Sequence, residues 1–542
     1  MQYGTLDVEQ LRKAFHGAKT VLSTNKAYVD SLNVFPVPDG DTGTNMHLTL
    51  TAAVKEIDKD TIDDVPRLLQ ALAGGALMGA RGNSGVILSQ LFRGFSQGAG
   101  KHEFDGMSMA EAFQKASDMA YRSVIKPVEG TMLTVAKAAA QGAKQKAKEG
   151  GDCLAVLEGA LASADEALRR TPQLLPVLAE AGVVDAGGQG FIYIIQGMIA
   201  GLKGQVQVEP EEQKAKETAI GAATPVQNLE FRYCTELIIK GQGLQENRLK
   251  NELFSLGDSL LVVGNEEVLK VHIHTNRPGL VLEKAAAQGV LYDIKIDNME
   301  EQHREVLTQG EAAPAAPPKQ LKEMAVAAVT VGEGLSAILT SIGVDVVIKG
   351  GQTMNPSTED LVDGIREACA RKVIVLPNNK NIILAAEQTR QVLENEDINV
   401  AIVPTKSFPQ CLAAMLAYNP DESLDENLEH MTEALDTVKT GEITYAVRDS
   451  QYNGINISSG EILGLAEGEI AAKGDDLEQV ALELLQTLNV DDFELLTVFY
   501  GQDVVEEQAE QLKEKIQAAY SHLEVEVHSG GQPLYYYIFG LE

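Results

Sequence analysis

The chain has 542 residues, of which 44% are hydrophobic, and is long enough for roughly three domains of ~100–200 residues each. Its 78 acidic and 45 basic side chains give a net charge of −33, and a surface this negative repels nucleic-acid backbones and anionic lipid headgroups. The four cysteines are widely spaced, no basic and apolar signal peptide opens the chain, and no apolar run reaches ~18 residues. We therefore expect a cytoplasmic protein with no disulfide framework, no transmembrane segment and no nucleic-acid partner.

Two segments poor in large apolar residues divide the chain. Residues 206–225 form the first, and residues 307–320, rich in proline and alanine, form the second. Both compositions are typical of extended linkers. They leave residues 1–205, 226–306 and 321–542 as three predicted domains.

The first block has helical periodicity and almost no β-branched runs. Apolar side chains recur at helical spacing at Met46, Leu50, Val54 and Ile57. Ser108 followed by Glu111 is a capping-box signal for a further helix. We predict an all-α helical domain whose loops carry the glycines.

The two later blocks mix strands and helices. In the middle block, TELIIKG, SLLVVGN and VLKVHIHT are predicted strands, with helices near residues 244–256 and 280–288, so a small α/β domain is expected. The third block begins with four short apolar runs, MAVAAVT, DVVIKGG, KVIVLPNN and NVAIVPTK, each followed by a helical stretch. Runs that are apolar on both faces predict a parallel sheet covered on both sides. The remaining runs, from EITYAVRDS to YYYIFG, predict a second α/β lobe.

The segment LNVFPVPDGDTGTNM carries the strongest chemical signal. Asp39 and Asp41 are two carboxylates one residue apart on a glycine-containing turn. Hard oxygen ligands on a loop suit Mg²⁺, which takes one or two carboxylates together with phosphate oxygens. Asn33 is a plausible third, neutral ligand. The alternative is an ordinary Asx turn that caps a helix, because Asp and Gly are common in turns.

The same segment opens a predicted helix, and helix starts suit phosphate because their N–H groups are unpaired. The candidate phosphate-binding residues there are Thr42, Gly43, Thr44, Asn45 and Met46. Three more glycine loops, GARGNSGV, PVEGTMLT and VVDAGGQGF, also precede helices and supply the candidates Gly82, Asn83, Ser84, Gly85, Thr131, Met132, Asp185 and Gly187. Each loop alone is more often a simple turn. Four of them in one helical domain suggest a shared phosphate site, since an interior glycine costs ~1 kcal/mol relative to alanine.

At PDGDTGTNM, and in the same order at NSG and EGTM, the chain resembles the DhaL family, the nucleotide-binding subunits of dihydroxyacetone kinases. The resemblance implies a barrel of antiparallel helices, with ATP or ADP at its rim and a pair of Mg²⁺ ions held by aspartates. Asp39 and Asp41 inherit the magnesium role. Asn33 stands where the family has a further aspartate, and Thr42 stands where it has a histidine.

Over its whole length the chain resembles the kinase component of bacterial fatty acid kinases, the FakA family, in which a DhaL-like domain, a small middle domain and a two-lobed DegV-like domain follow one another. The resemblance implies ATP-dependent phosphorylation of a fatty acid to an acyl phosphate for phospholipid synthesis. A separate FakB-type carrier of the DegV family would present the fatty acid. Its carboxylate is already ionised at neutral pH, so no strong general base is needed. The DhaL-like and middle domains could also support a homodimer.

Two other functions fit parts of the pattern. A dihydroxyacetone (glycerone) kinase-like enzyme would act on a small polyol, but those kinases use a separate substrate module with a covalent histidine, and no such module is recognisable. A non-catalytic regulator would sense ADP through the DhaL-like domain and turn over no acceptor. The paired aspartates and intact loops favour an active enzyme.

The predicted strand VHIHT carries a possible second metal site. His272 and His274 are two residues apart, so they lie on one face of the strand, and Cys234 begins the same domain. Two histidines and a cysteine suit Zn²⁺. The alternative is a pair of solvent-facing histidines and a buried thiol. The FakA resemblance favours zinc.

The third signal is KGGQTMNPSTEDL, which follows a predicted strand and precedes a helix. Asn355 and Ser357 could bind an anion at the helix start, or they could simply form a polar N-cap region. The DegV resemblance implies the fold of this domain, and we expect the domain to dock the lipid carrier rather than to bind lipid itself.

Overall fold

The computed structural model describes residues 3–34, 40–59, 61–98, 104–124, 126–206, 232–241, 244–264, 268–298, 321–351, 355–452 and 454–542. The chain forms two compact units, one made of Met1–Val208 together with Leu321–Glu542 and the other of Glu209–Gln320. Apart from Val206, both predicted linkers lie outside the described residues. None of the described helices is long and apolar enough to cross a membrane.

The N-terminal part of the first unit is helical, as predicted. Its described helices are α1 (Val8–Ser31), α2 (Thr42–Ile57), α3 (Val65–Met78), α4 (Gly82–Gly98), α5 (Gly106–Ser123), α6 (Met132–Lys148), α7 (Cys153–Leu174), α8 (Pro176–Ala181) and α9 (Ala186–Leu202). Each long helix packs against the next one along the chain, and α9 packs against α1, so the helices close into a ring. Two short strands, β1 (Thr5–Leu6) and β2 (Phe104–Asp105), pair beside it.

Apolar side chains from every long helix fill the centre of this ring. Phe15 of α1 meets Phe92 of α4 edge to face at a centroid distance of 6.0 Å. The predicted apolar face of α2, from Met46 to Ile57, is fully buried in the same core. The predicted capping box of α5 is wrong: Asp105 caps the helix by accepting the N–H of Ser108 at 2.8 Å. The helix therefore begins at Gly106, about one turn earlier than Ser108 indicated.

The described residues of the second unit form an antiparallel sheet. Its strands are β3 (Tyr233–Lys240), β4 (Gly257–Gly264), β5 (Val268–Thr275) and β6 (Val290–Asn298), in the order β4-β5-β3-β6. Helices α10 (Glu246–Leu253) and α11 (Pro278–Ala286) accompany it. The first three strands and both helices match the predicted pattern. The fourth strand was not predicted, although its sequence, VLYDIKIDN, alternates apolar and polar residues.

The C-terminal part of the first unit starts with a parallel sheet. Its strands are β7 (Lys322–Thr330), β8 (Val346–Lys349), β9 (Ala370–Leu376) and β10 (Asn399–Ile402), in the order β10-β9-β7-β8. Helices α12 (Glu333–Ser341), α13 (Thr358–Glu367), α14 (Ile383–Val392), α15 (Phe408–Ala417) and α16 (Leu424–Glu433) connect and follow these strands. Every strand pair is parallel, as the four apolar runs predicted.

A second lobe completes the chain. Strands β11 (Lys439–Tyr445), β14 (Ile462–Ala466), β15 (Glu469–Gly474), β16 (Leu495–Tyr500), β17 (Glu524–Ser529) and β18 (Tyr537–Leu541) form a mixed sheet in the order β15-β14-β11-β18-β16-β17. A small hairpin, β12 (Ser450–Tyr452) with β13 (Ile455–Ile457), lies between β11 and β14 in the chain. Helices α17 (Leu477–Thr487) and α18 (Glu506–Ala519) pack with this lobe. The fold is thus an all-α domain followed by α/β domains.

Candidate nucleotide and magnesium site

The start of α2 is held by a residue that the sequence patterns did not single out. Asp30, in the last turn of α1, accepts the N–H groups of Gly43 at 2.6 Å and Thr44 at 3.0 Å. Its second carboxylate oxygen accepts the Thr44 hydroxyl at 2.8 Å. These bonds satisfy two of the N–H groups that a helix start leaves unpaired, and they fix the end of α1 against the start of α2.

This arrangement corrects one expectation for the phosphate loop. Gly43 and Thr44 were predicted to offer N–H groups to phosphate, but both N–H groups already donate to Asp30. The Asn45 N–H donates to the Asp41 carbonyl at 2.8 Å within the helix. Gly43 has a different role: a Cβ there would lie 2.2 Å from the Lys26 carbonyl oxygen, so glycine allows α1 and α2 to approach closely.

Most of the other candidates from the first two loops line one polar cavity of about 190 Å³. Its lining residues are Asn33, Val34, Asp41, Thr42, Asn45, Asn83, Ser84, Lys380 and Asn381. Within it, the Thr42 hydroxyl donates to Asn33 Oδ1 at 2.6 Å. Asp39, the first predicted magnesium ligand, lies outside the described residues. The structure therefore brings Asn33 and Asp41 together with the glycine loop before α4.

The glycines of that second loop are explained by close packing. Gly82 has φ +55°, a conformation that L side chains rarely adopt. A Cβ at Gly82 would also lie 2.5 Å from Asn45 Nδ2, and one at Gly85 would lie 2.4 Å from the Thr49 hydroxyl. Glycine at both positions therefore lets the start of α4 lie directly against α2. The neighbouring Asn83 and Ser84 are the residues of this loop that line the cavity.

The third and fourth loops form a separate cluster. Asp185 caps α9 by accepting the Gly188 N–H at 2.7 Å, and it also accepts the backbone N–H of Met132. Burial raises the pKa of Asp185 to about 6, although these two hydrogen bonds act in the opposite direction. A Cβ at Gly187 would lie 2.7 Å from Met132 Cε. One carboxylate thus joins the starts of α6 and α9.

This cluster does not line the cavity that contains Asp41. Thr131, the remaining predicted residue, donates its hydroxyl to the Val128 carbonyl at 2.8 Å. Met46 is fully buried and packs against α9, because a Cβ at Gly190 of α9 would lie 2.6 Å from Met46 Sδ. The four glycine loops therefore lie in two groups rather than around the Asp41 cavity alone.

The C-terminal domain of the same unit also reaches the cavity. Asn355 donates its side-chain N–H to Asp41 Oδ2 at 2.5 Å. Asn83 Nδ2 donates to Asn381 Oδ1 at 3.2 Å. Arg448 donates to the carbonyl oxygen of Asn33, and burial lowers the pKa of its guanidinium. Sequence reasoning assigned Asn355 to an anion site of the C-terminal domain, whereas the structure places it against Asp41.

The described donor set fits magnesium. Asp41 supplies a carboxylate, Asn33 an amide oxygen and Thr42 a hydroxyl, which are the hard oxygen donors that Mg²⁺ prefers. In the described structure, the amide oxygens of Asn83 and Asn355 are buried and have no hydrogen-bond partner. Buried polar atoms normally have a partner. A cation or its water ligands would provide one.

The second predicted metal site can be followed only through the backbone. The side chains of Cys234, His272 and His274 lie outside the described part of the structure. The strand register pairs Cys234 of β3 with His274 of β5, and His272 lies two residues further along β5. Among the described residues, no group of three or more His, Cys, Asp or Glu could hold a metal ion. The zinc site remains a prediction.

Comparisons with known proteins cover most of the chain. Residues 36–200 match the DAK2 domain, residues 230–306 match the FakA-like middle domain of fatty acid kinases, and residues 325–542 match the FakA-like C-terminal domain. Protein YloV of Bacillus subtilis (strain 168) is 42% identical over 562 aligned residues, covering 100% of both chains.

Two solved structures align with parts of the chain. A DegV lipid-binding protein from Thermotoga maritima aligns with a TM-score of 0.32 and 12% identity, covering 41% of this chain and 98% of that chain. The dihydroxyacetone kinase of C. freundii in complex with AMP-PNP and Mg²⁺ aligns with a TM-score of 0.28 and 17% identity, covering 35% of this chain and 33% of that chain. From the three domain matches and the full-length relative, the chain belongs to the FakA-like family of fatty acid kinase proteins.

Proposed function

We propose that this protein is an ATP-dependent kinase that phosphorylates the carboxylate of a fatty acid bound to a separate FakB-type carrier and releases an acyl phosphate. One observation carries the proposal. In a chain of this family, Asp41 and the glycine loop before α4 meet at a polar cavity lined by oxygen and amide groups. Such a cavity suits a triphosphate and its metal ion, and phosphoryl transfer depends mainly on positioning and on neutralising charge.

The residues of the cavity have separate roles in this proposal. Asp41 and Asn33, together with Asp39, would hold Mg²⁺, which would neutralise the negative charge of the phosphates. Asn83 and Ser84 would donate hydrogen bonds to the phosphates from the start of α4. Asp30 holds the start of α2 in place through Gly43 and Thr44. A fatty acid carboxylate is already ionised near neutral pH, so the chain need not remove a proton from it.

The C-terminal domain is the proposed docking site of the carrier. Two described cavities lie between its two lobes, one of about 650 Å³ and one of about 60 Å³. Phe408 and Phe499 meet edge to face beside the smaller cavity at a centroid distance of 5.0 Å, and the buried Gln532 donates to the Phe499 carbonyl at 3.0 Å. This packing leaves no space for an acyl chain in the smaller cavity, and we propose from the family resemblance that the domain docks the carrier.

The deciding experiment is an acyl phosphate assay with purified protein, ATP, Mg²⁺ and a carrier loaded with oleate. We expect acyl phosphate and ADP to form in equal amounts. Dihydroxyacetone in place of the loaded carrier should give no product. ATP consumption with dihydroxyacetone would favour the polyol kinase, and nucleotide binding without turnover of any acceptor would favour the ADP-sensing regulator. Either result would reject the proposed function.

Three further properties belong to the same proposal. We propose a cytoplasmic location, a homodimer and a zinc ion bound by Cys234, His272 and His274. The pairing of Cys234 with His274 supports the zinc ion, because cross-strand neighbours lie about 4.5–5.5 Å apart at Cβ, close enough to share one ion. Elemental analysis of the purified protein should find zinc bound in the wild type and lost in Cys234→Ser. Equal zinc in both proteins would reject these ligands.

A further inference from the structure

Asn355 is a buried polar residue of the C-terminal domain that contacts the proposed magnesium ligand Asp41 of the helical domain. Its relative exposure is 1%. Its amide nitrogen donates to Asp41 Oδ2 at 2.5 Å, although 314 residues separate the two in the chain. Its amide oxygen is buried and has no hydrogen-bond partner in the described structure. The amide nitrogen of the side chain therefore holds Asp41, whereas its oxygen has no partner among the described residues.

Arg81, at the start of α4, fixes the position of Asn355. Arg81 Nη1 donates to the Asn355 carbonyl at 2.7 Å and lies 3.3 Å from Asp360 Oδ2. The backbones of the two domains also pair directly, since Arg81 forms a β-bridge with Ser357 and the Thr358 N–H donates to the Ala80 carbonyl at 3.1 Å. The segment that carries Asn355 is thus held to the glycine loop that lines the cavity.

A second segment of the C-terminal domain also reaches the loop. Lys380 and Asn381 line the same cavity as Asp41, and Asn381 accepts a hydrogen bond from Asn83 at 3.2 Å. Glycine at position 82 leaves room for Asn355 beside the same loop, because a Cβ there would lie 3.3 Å from Asn355 Nδ2. A lysine at a phosphate site adds a positive charge that the described cavity residues of the helical domain do not supply.

We propose that the metal and triphosphate site is shared between two domains, with Asn355 as the positioning residue for Asp41 and the Lys380–Asn381 segment as the wall that faces the phosphates. This inference rests on the proposed function. Carboxylates that bind metals are themselves hydrogen-bonded, and such bonds orient the ligating oxygen. The Asn355 N–H fixes the rotation of the Asp41 carboxylate in this way. The unpartnered Asn355 oxygen is a hard, neutral ligand suited to the cation or to one of its waters.

The inference is tested by metal-dependent nucleotide binding to the full chain. Mn²⁺ serves as the probe, because its binding with ADP is followed directly by electron paramagnetic resonance. We expect Asn355→Ala to weaken Mn²⁺–ADP binding by about 10–100-fold, the usual effect of removing a group that orients a metal ligand. Lys380→Gln should weaken binding of ATP more than binding of AMP, since its charge faces the terminal phosphates.

Gln391→Ala is the matched control. Gln391 accepts a hydrogen bond from Arg93 of α4 at 2.7 Å across the same domain contact. Arg93 is ten residues along the helix from Asn83, or about 15 Å away at 1.5 Å per residue. This variant should bind Mn²⁺–ADP as the wild type does. If Asn355→Ala does not fold, Asn355→Leu retains the volume of the side chain without its amide and should show the same loss.

The possible results distinguish a failure of the proposed function from a failure of the two-domain site. Wild-type protein that binds no Mn²⁺–ADP would overturn the proposed function and this inference together. A wild type that binds Mn²⁺–ADP while Asn355→Ala binds it equally well would overturn the inference alone. Tighter binding by Asn355→Ala would also overturn it, because Asn355 would then compete with the metal for Asp41 rather than position it.

Discussion

At the scale of single residues, Asp41 is the side chain on which the proposed chemistry depends most. Asp41→Asn preserves its size but removes the negative charge that attracts a cation. We expect acyl phosphate formation to fall by about 10²-fold or more, a loss typical of removing one preorganised electrostatic contact. The assay with oleate-loaded carrier measures it, and circular dichroism should show an unchanged fold. Asp63→Asn is the control, because Asp63 is 83% exposed and pairs only loosely with Arg67 at 3.7 Å; comparable activity of the two variants would rule out the assignment.

The raised pKa of Asp185 predicts how the stability of the protein changes with pH. Because its folded pKa is raised from 3.8 to about 6, the folded state holds a proton that the unfolded state has lost between these pH values. Its contribution to stability is therefore fully present below pH ~4 and is lost as the pH rises through about 6. A pKa difference of one is worth about 1.4 kcal/mol. Asp185→Asn should remove roughly 1–3 kcal/mol of the difference in unfolding free energy between pH 4 and pH 7, measured in urea.

Asp105 provides the opposite case in the same domain. Its pKa is lowered, chiefly by the hydrogen bond from the Ser108 N–H. Its stabilising effect is thus present at neutral pH and is lost on acidification through its folded pKa. Asp105→Asn should therefore change the pH dependence with the opposite sign from Asp185→Asn. The same sign for both variants would show that burial does not control the titration of Asp185.

At the scale of secondary-structure elements, the glycines of the helices have a mechanical role. A Cβ at Gly197 of α9 would lie 2.4 Å from Ala18 Cα of α1, so glycine allows these two helices to touch along their backbones. Gly197→Ala should cost about 1–3 kcal/mol through overpacking. Gly74 of α3 has nothing within 4 Å of its added Cβ, so Gly74→Ala should instead stabilise the domain by about 0.5–1 kcal/mol. Thermal melting distinguishes the two, and equal shifts would contradict the packing explanation.

The elements were easier to predict from the sequence than the site. The buried face of α2 and the four parallel strands follow from local periodicity, which each element carries within itself. The glycine loops predicted a single phosphate site less well than periodicity predicted the elements, because close helix contacts also require glycine. Asp30 was missed since its role depends on a contact with Gly43, 13 residues away. Asn355 could not be placed beside Asp41 at all, because nothing local in either segment refers to the other.

At the scale of the whole molecule, the helical domain and the C-terminal domain share packing as well as polar contacts. Ala80 and Val86, on either side of the glycine loop, are buried in the apolar core formed by β7, β9 and α13 of the C-terminal domain. Ser89 accepts a hydrogen bond from the buried Gln388 at 3.1 Å within the same contact. The loop that lines the Asp41 cavity is therefore supported from both domains, and a change of packing in either domain should alter the cavity.

Arg81 is the residue through which this coupling can be measured. Its side chain is only 22% exposed and contacts both Asn355 and Asp360, and a hydrogen bond to a charged group is worth about 1.5–3 kcal/mol. We expect Arg81→Ala to accelerate amide hydrogen exchange at the start of α13 and at the start of α2 together, because the released Asn355 no longer holds Asp41.

Arg81→Lys should give an intermediate effect, since a single ammonium cannot reproduce the fork of the guanidinium. Arg93→Ala, which breaks the bond to Gln391 at the far end of the contact, should leave the start of α2 unchanged. Exchange that rises at α13 but not at α2 in Arg81→Ala would mean that the C-terminal domain covers the cavity without organising it. A joint rise, reversed by saturating Mn²⁺–ADP, is the result expected if both domains build one site, because ligand binding stabilises the state that contains it.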